Sequence, residues 1–96
     1  MDQQSFRESL RHAEPPAGIS SVLSALCYDA KGNWNKAHDL INDLTERDAA
    51  HIHAYLHRKE GDAGNARYWY NRAGQSPCNR SLEDEWEELV KRYTTK

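Results

Sequence analysis

Laid over itself with a shift of 29 residues, the middle of this chain matches position by position: Gly32 falls on Gly61, Asn33 on Asp62, Ala37 on Ala66, Ile41 on Tyr70 and Leu44 on Ala73. Upstream of the glycines the same shift pairs Leu23 with Ile52, Leu26 with Tyr55 and Cys27 with Leu56. Self-similarity at such a period marks a supersecondary unit copied in tandem, because one copy alone cannot bury its apolar face. Within each copy the apolar positions recur at three and four residues, the period of a helix. Between the two apolar runs of each copy stands a Gly followed by Asn or Asp, where a helix can end in a left-handed residue and the chain turn back. The repeated unit is therefore expected to be an antiparallel helix hairpin.

The flanks extend this pattern. Ser5 with Glu8 three residues on suggests a capped first helix over 5–14 that shows Phe6, Leu10 and Ala13 to a core, ended by Pro15 and Pro16. Hairpin one is expected over 17–45 and hairpin two over 47–74. After a loop at 74–79, Ser81 and Asp84 begin a helix over 81–94 whose stripe is Leu82, Trp86, Leu89, Val90 and Tyr93. Its acidic residues gather in the first half and Lys91 and Arg92 near the end, which suits the helix dipole. This last helix is expected to cap the stack with a polar outer face. The fold class expected is all-α, a single domain of two tandem hairpins between a helix at each end.

Ninety-six residues support one core and no separate substrate domain. Aliphatic side chains are scarce, so three Trp and five Tyr must supply much of the buried area. A net charge of −2 and a pI near 6.2 argue against a general attraction to nucleic acid or anionic lipid. The polar N-terminus has no apolar core of a leader, and no apolar run is long enough to span a bilayer, so a cytoplasmic location without a membrane partner is expected. Cys27 and Cys78 read as two free thiols of a reducing compartment.

The block 61–74, GDAGNARYWYNRAG, resembles the second half of a Sel1-like repeat, and Gly32-Asn33-Trp34-Asn35-Lys36-Ala37 resembles the turn of a tetratricopeptide repeat. In both families a Gly closes the first helix, an Ala five residues later lets the two helices approach, and a bulky residue four further on fills the gap. The resemblance covers roughly residues 19–74 and implies a helical-repeat module that binds a protein partner or self-associates, with no cofactor. A period of 29 against roughly 34 in the tetratricopeptide family points to a compact bundle or short solenoid. The run 53–62, HAYLHRKEGD, is also similar to that of a group of short uncharacterised microbial proteins, a likeness that implies no activity.

In such repeats the first helix of each hairpin lines the concave side. On that ground Tyr28, Asp29, His51, Tyr55 and Arg58 are the candidate contact surface, Tyr and Arg being residues that desolvate large areas while keeping a polar tip. Tyr28 and Tyr55 fit equally well as the last members of the core.

The alternative from another class is a divalent-metal site, zinc for example. Four of the five histidines fall between residues 38 and 57. His53 and His57 are i and i+4 on one helix and share a side, Glu60 follows on the same flank, and His38 can join them from the neighbouring helix, whereas His51 points away. The HExxH signature is absent, so the pattern alone is of low specificity, and rings flanking the core and bonded to carboxylates or backbone explain it as well.

Other chemistry finds less support. Arg58, Lys59, Arg67, Tyr68, Trp69, Tyr70 and Arg72 form a basic and aromatic run, but Trp69 and Tyr70 are required for packing, which argues against a nucleic-acid platform. Ser20, Ser21 and Ser81 sit where helix starts want hydroxyls, Cys78 lies in a loop, and no glycine cradle follows a strand. The chain reads as a non-catalytic module.

Overall fold

The computed structural model describes residues 2–12 and 14–94. Within them the chain forms six helices and no strand: α1 (Gln3–Ser9), α2 (Ser21–Ala30), α3 (Trp34–Ile41), α4 (Arg47–Lys59), α5 (Ala63–Ala73) and α6 (Leu82–Thr94). None of them is long and apolar enough to cross a membrane.

The two hairpins are present as α2 with α3 and α4 with α5, and the 29-residue shift holds down to single hydrogen bonds. Gly32 and Gly61 adopt φ of +81° and +91°, a backbone conformation open to glycine and strained for other residues. The amide of Gly32 donates to Asp29 O, and that of Gly61 to Arg58 O, at 3.0 Å in both copies. The next amide, of Asn33 or Asp62, donates to Tyr28 O or His57 O at 2.9 Å. Each of those residues then caps the helix it begins: Asn33 Oδ1 accepts from the Lys36 amide and Asp62 Oδ1 from the Asn65 amide, both at 3.2 Å. One residue thus closes the left-handed exit of one helix and satisfies an orphan amide of the next.

The small residues sit where the repeat requires them. Ala37 and Ala66 are buried, as are their larger neighbours Ile41 and Tyr70. The matched positions of α2 and α4, Leu23 with Ile52, Leu26 with Tyr55 and Cys27 with Leu56, are buried too. The main core joins Phe6 of α1, the inner faces of α2, α3 and α4, and Leu89, Val90 and Tyr93 of α6. A smaller cluster of Ala54, Ala66 and Tyr70 closes the second hairpin, with Trp69 and Cys78 packed against it.

The ends depart from expectation. Helix α1 starts at Gln3, not Phe6, because Asp2 serves as its cap, accepting the Ser5 amide at 2.7 Å. The expected end at Ala13 lies outside the described residues, and the turn that follows α1 already includes Leu10. Helix α6 begins as read, with Ser81 Oγ accepting the Asp84 amide at 3.0 Å. It does not, however, continue the stack beyond α5. It folds back across α2 and α4, and α1 packs on α6 in turn. The reason lies in its stripe: Trp86 donates Nε1–H to Leu26 O at 3.1 Å, and Leu89, Val90 and Tyr93 enter the core shared by both hairpins. The side that an open solenoid would leave concave is therefore filled by the chain's own last helix.

Helix α4 consequently meets α2, α3, α5 and α6, and every residue from Ala49 to His57 is buried. Its polar members have to find partners inside the protein. Tyr55 donates to Asp29 Oδ2 at 2.8 Å, Lys59 reaches Asp29 Oδ1 at 2.8 Å, and Arg58 reaches the buried Glu85 Oε1 at 2.9 Å, where the Tyr70 hydroxyl also donates.

Nothing stands within 4 Å of a Cβ built on Gly32 or Gly61, so substitution there is penalised by backbone strain alone. Gly32→Ala and Gly61→Ala are each expected to lower unfolding free energy by roughly 1 kcal/mol. The two losses should be additive in urea titrations, since the turns are separate. A double variant as stable as the wild type would mean that these turns do not hold the hairpins.

A candidate metal centre

Three of the five histidines meet between the hairpins. His38 comes from the last turn of α3, and His53 and His57 lie one turn apart on α4. Each offers a ring nitrogen, and these three atoms all lie within 4.8 Å of one another; among the described residues no other cluster of His, Cys, Asp or Glu does this. The ring centroids are 5.0 Å apart for His38 and His53, 5.3 Å for His38 and His57, and 5.5 Å for His53 and His57.

Two indoles box the cluster. Trp34, one turn before His38 on α3, stacks on its ring at 4.9 Å with planes 9° apart and meets His57 edge-on at 6.0 Å. Trp34 is itself pinned, because its Nε1–H donates to Leu56 O at 2.8 Å. From α5, Trp69 lies against His53 with ring centroids 3.9 Å apart. The cluster is deepest at His53, which is 1% exposed, and shallowest at His38, which is half-buried.

The hydrogen bonding of the three rings is unequal. His57 Nδ1 lies 2.7 Å from Glu60 Oε2, which orients the ring and leaves Nε2 uncommitted. Both nitrogens of His53 are buried with no hydrogen-bond partner, and among the described residues His53 is the one side chain left so. A neutral imidazole carries one N–H donor and one lone-pair acceptor, so burying both unpaired is destabilising by an amount on the order of 1–3 kcal/mol. A buried group of this kind calls for a physical explanation.

Electrostatics keep the lone pairs available. Burial first, and then the neighbouring His38 and His57, lower the His53 pKa from 6.5 to about 4. His38 is shifted down as well, chiefly by burial and then by His57, while Asp39 and Glu60 pull the other way. At neutral pH these two rings are uncharged, the form in which imidazole binds a metal.

The fit to a divalent ion can be tested on geometry. Three imidazoles on a tetrahedral ion at roughly 2.0–2.1 Å place their donor atoms about 3.4 Å from one another. The present spread of up to 4.8 Å closes with a shift of about an ångström or so, within reach of side-chain torsions. Glu60, read from spacing as a possible ligand, has its Oε2 2.7 Å from His57 Nδ1, a contact that fixes the orientation of that ring.

The residues read as a docking surface have another fate. Asp29, His51 and Tyr55 are buried, and Tyr28 and Arg58 are half-buried. His51 Nδ1 lies 2.9 Å from the Tyr93 hydroxyl on α6, and its ring packs edge-on to Tyr70 and Tyr93. His51 and Arg58 thus bond to α6, Asp29 and Tyr55 tie α2 to α4, and Tyr28 lies under the Lys36 ammonium of α3. The sequence reading missed Trp34 and Trp69 as walls of the histidine cluster; their only signal was an offset of four residues from Trp34 to His38, easily taken for core packing.

No family model matches this chain, and neither the curated proteins nor the solved structures contain a match to it. It is a small all-helical globular protein, and its site must be understood from its own residues.

Burial and Arg92 also lower the His51 pKa to about 4, against the opposite pull of Glu88 and Asp48. In the unfolded chain both His51 and His53 titrate near the ordinary value of about 6.5. Between these limits the unfolded state binds more protons than the folded one, so stability falls as pH drops from about 6.5 toward about 4. Urea midpoints of the metal-free protein should decline steadily across that window, and His53→Leu should make the decline shallower. An equal decline in the variant would show that His53 is not a neutral buried ring.

Proposed function

We propose that this chain is a divalent-metal-binding protein, with the ion held by His38, His53 and His57 and with Glu60 orienting His57. The observation that carries this reading is the pair of unpartnered nitrogens on His53, buried and facing two further imidazoles. Packing alone accounts for an aromatic ring at that position, and a leucine or phenylalanine would fill it with no orphaned polar atoms. A ligand bond to an ion gives the lone pair a partner. Imidazole donors favour zinc, copper, nickel or iron over the hard cations calcium and magnesium.

A second reading, a helical-repeat module that binds a protein partner or self-associates, draws support from the outer face of α5. This helix packs chiefly on α4, with Tyr70 also reaching Glu85 of α6, and its far side presents Tyr68, 52% exposed, with Arg72 lying over both Tyr68 and Trp69. Tyrosine, tryptophan and arginine are the residue types enriched at binding hot spots. The tetratricopeptide-like and Sel1-like character of the hairpins belongs to this reading. The two are compatible, because Trp69 is shared between the outer face and the histidine cluster.

The metal reading is tested by thermal unfolding with added zinc and with chelator. Zinc should raise the midpoint of the wild-type protein and leave His53→Leu unmoved, and Glu60→Gln should weaken zinc binding by roughly 10–100-fold. In chelator, His53→Leu should be more stable than the wild type by about 1 kcal/mol, because it removes two unsatisfied buried atoms. Equal midpoints for the wild-type protein in zinc and in chelator would rule the site out.

A further inference from the structure

We infer that the ion's fourth coordination position is not supplied by the protein and is instead an exchangeable site for a small monodentate ligand, water at rest and a small anion on demand. This rests on the metal reading above and deepens it.

The donor set is the first reason. Among the described residues the cluster comprises three histidines and no fourth ligating side chain, while zinc and its neighbours in this ligand field take at least four donors. Glu60 is the adjacent carboxylate, and its Oε2 is engaged with His57 Nδ1. Neither cysteine is a member of the cluster: Cys27 is buried in the main core and Cys78 packs beside Tyr70. A structural ion is normally enclosed by four protein ligands, whereas three protein ligands with a vacant position mark an ion that acts on something from solvent.

The second reason is where the cluster stands relative to the core. The main core runs without a break through α1, α2, α3, α4 and α6. The imidazoles lie between α3 and the second hairpin and are not members of that core, so no ion is needed to close it. An ion placed there has little structural work to perform.

Access is the third. The cluster is sealed on the His53 side by Trp69 but grades outward to half-buried His38. Solvent can reach the ion from that flank. The indole of Trp34, stacked on His38 and tied to Leu56 O, walls the cluster beside that ring. A divalent ion held by uncharged imidazoles also keeps its full double charge, which favours an anion at the remaining position.

Cobalt(II) is the probe, because its visible bands report both binding and coordination. The 96-residue chain is loaded with cobalt and titrated with azide. Bands typical of a four-coordinate ion, absent in His53→Leu, that shift saturably with azide are the expected result. Bands that form but ignore azide would mean that a fourth protein donor closes the site, and would overturn this inference while leaving metal binding intact. No bands with the wild-type protein would overturn both.

Discussion

The burial of α4 on all sides is the constraint from which the rest of this structure follows. A helix surrounded by neighbours is usually apolar all round, yet the buried stretch of α4 includes His51, His53, Tyr55 and His57. Each polar group must be matched from a different direction, and the matches define the architecture. Asp29 on α2 receives Tyr55 and Lys59, and Glu85 on α6 receives Arg58. Tyr93 on α6 meets His51, and Glu60 at the end of α4 itself meets His57. These bonds fix the register of α2 and α6 against α4, since a shift of one turn would leave a buried charge without its partner, a loss of several kcal/mol.

Against this pattern of satisfied groups, His53 stands out. Among the described residues every other buried polar side chain along α4 has a partner in the fold, and this one has two further imidazoles near it and none bonded to it. Natural proteins tolerate such a loss of stability chiefly at sites where function needs it. The carboxylate behind His57, the uncharged state of His38 and His53, and the rigid indole walls are what a metal centre requires of its surroundings.

The hairpins were legible in the chain because their determinants are local. Gly32-Asn33 and Gly61-Asp62 each combine a left-handed exit with a cap for the following helix, and Ala37 and Ala66 mark the close approach of paired helices. The shared side of His53 and His57 was equally readable, as i and i+4 on one helix face each other whatever surrounds them. The concave contact surface was not. Asp29, His51 and Tyr55 are buried, and nothing in the spacing of the five residues foretells that α6 returns across α2 and α4.

Residue order by itself therefore determined the helices, their turns and their pairing into two antiparallel units, because each depends on side chains within a few residues of one another. Tertiary structure alone decided where α6 lies and which groups α4 buries, and so how closely His38 meets His53 and His57. Those outcomes depend on contacts between residues far apart in the chain. There, the shape of one apolar stripe and the pairing of a few buried charges select one packing among several that local patterns would allow equally.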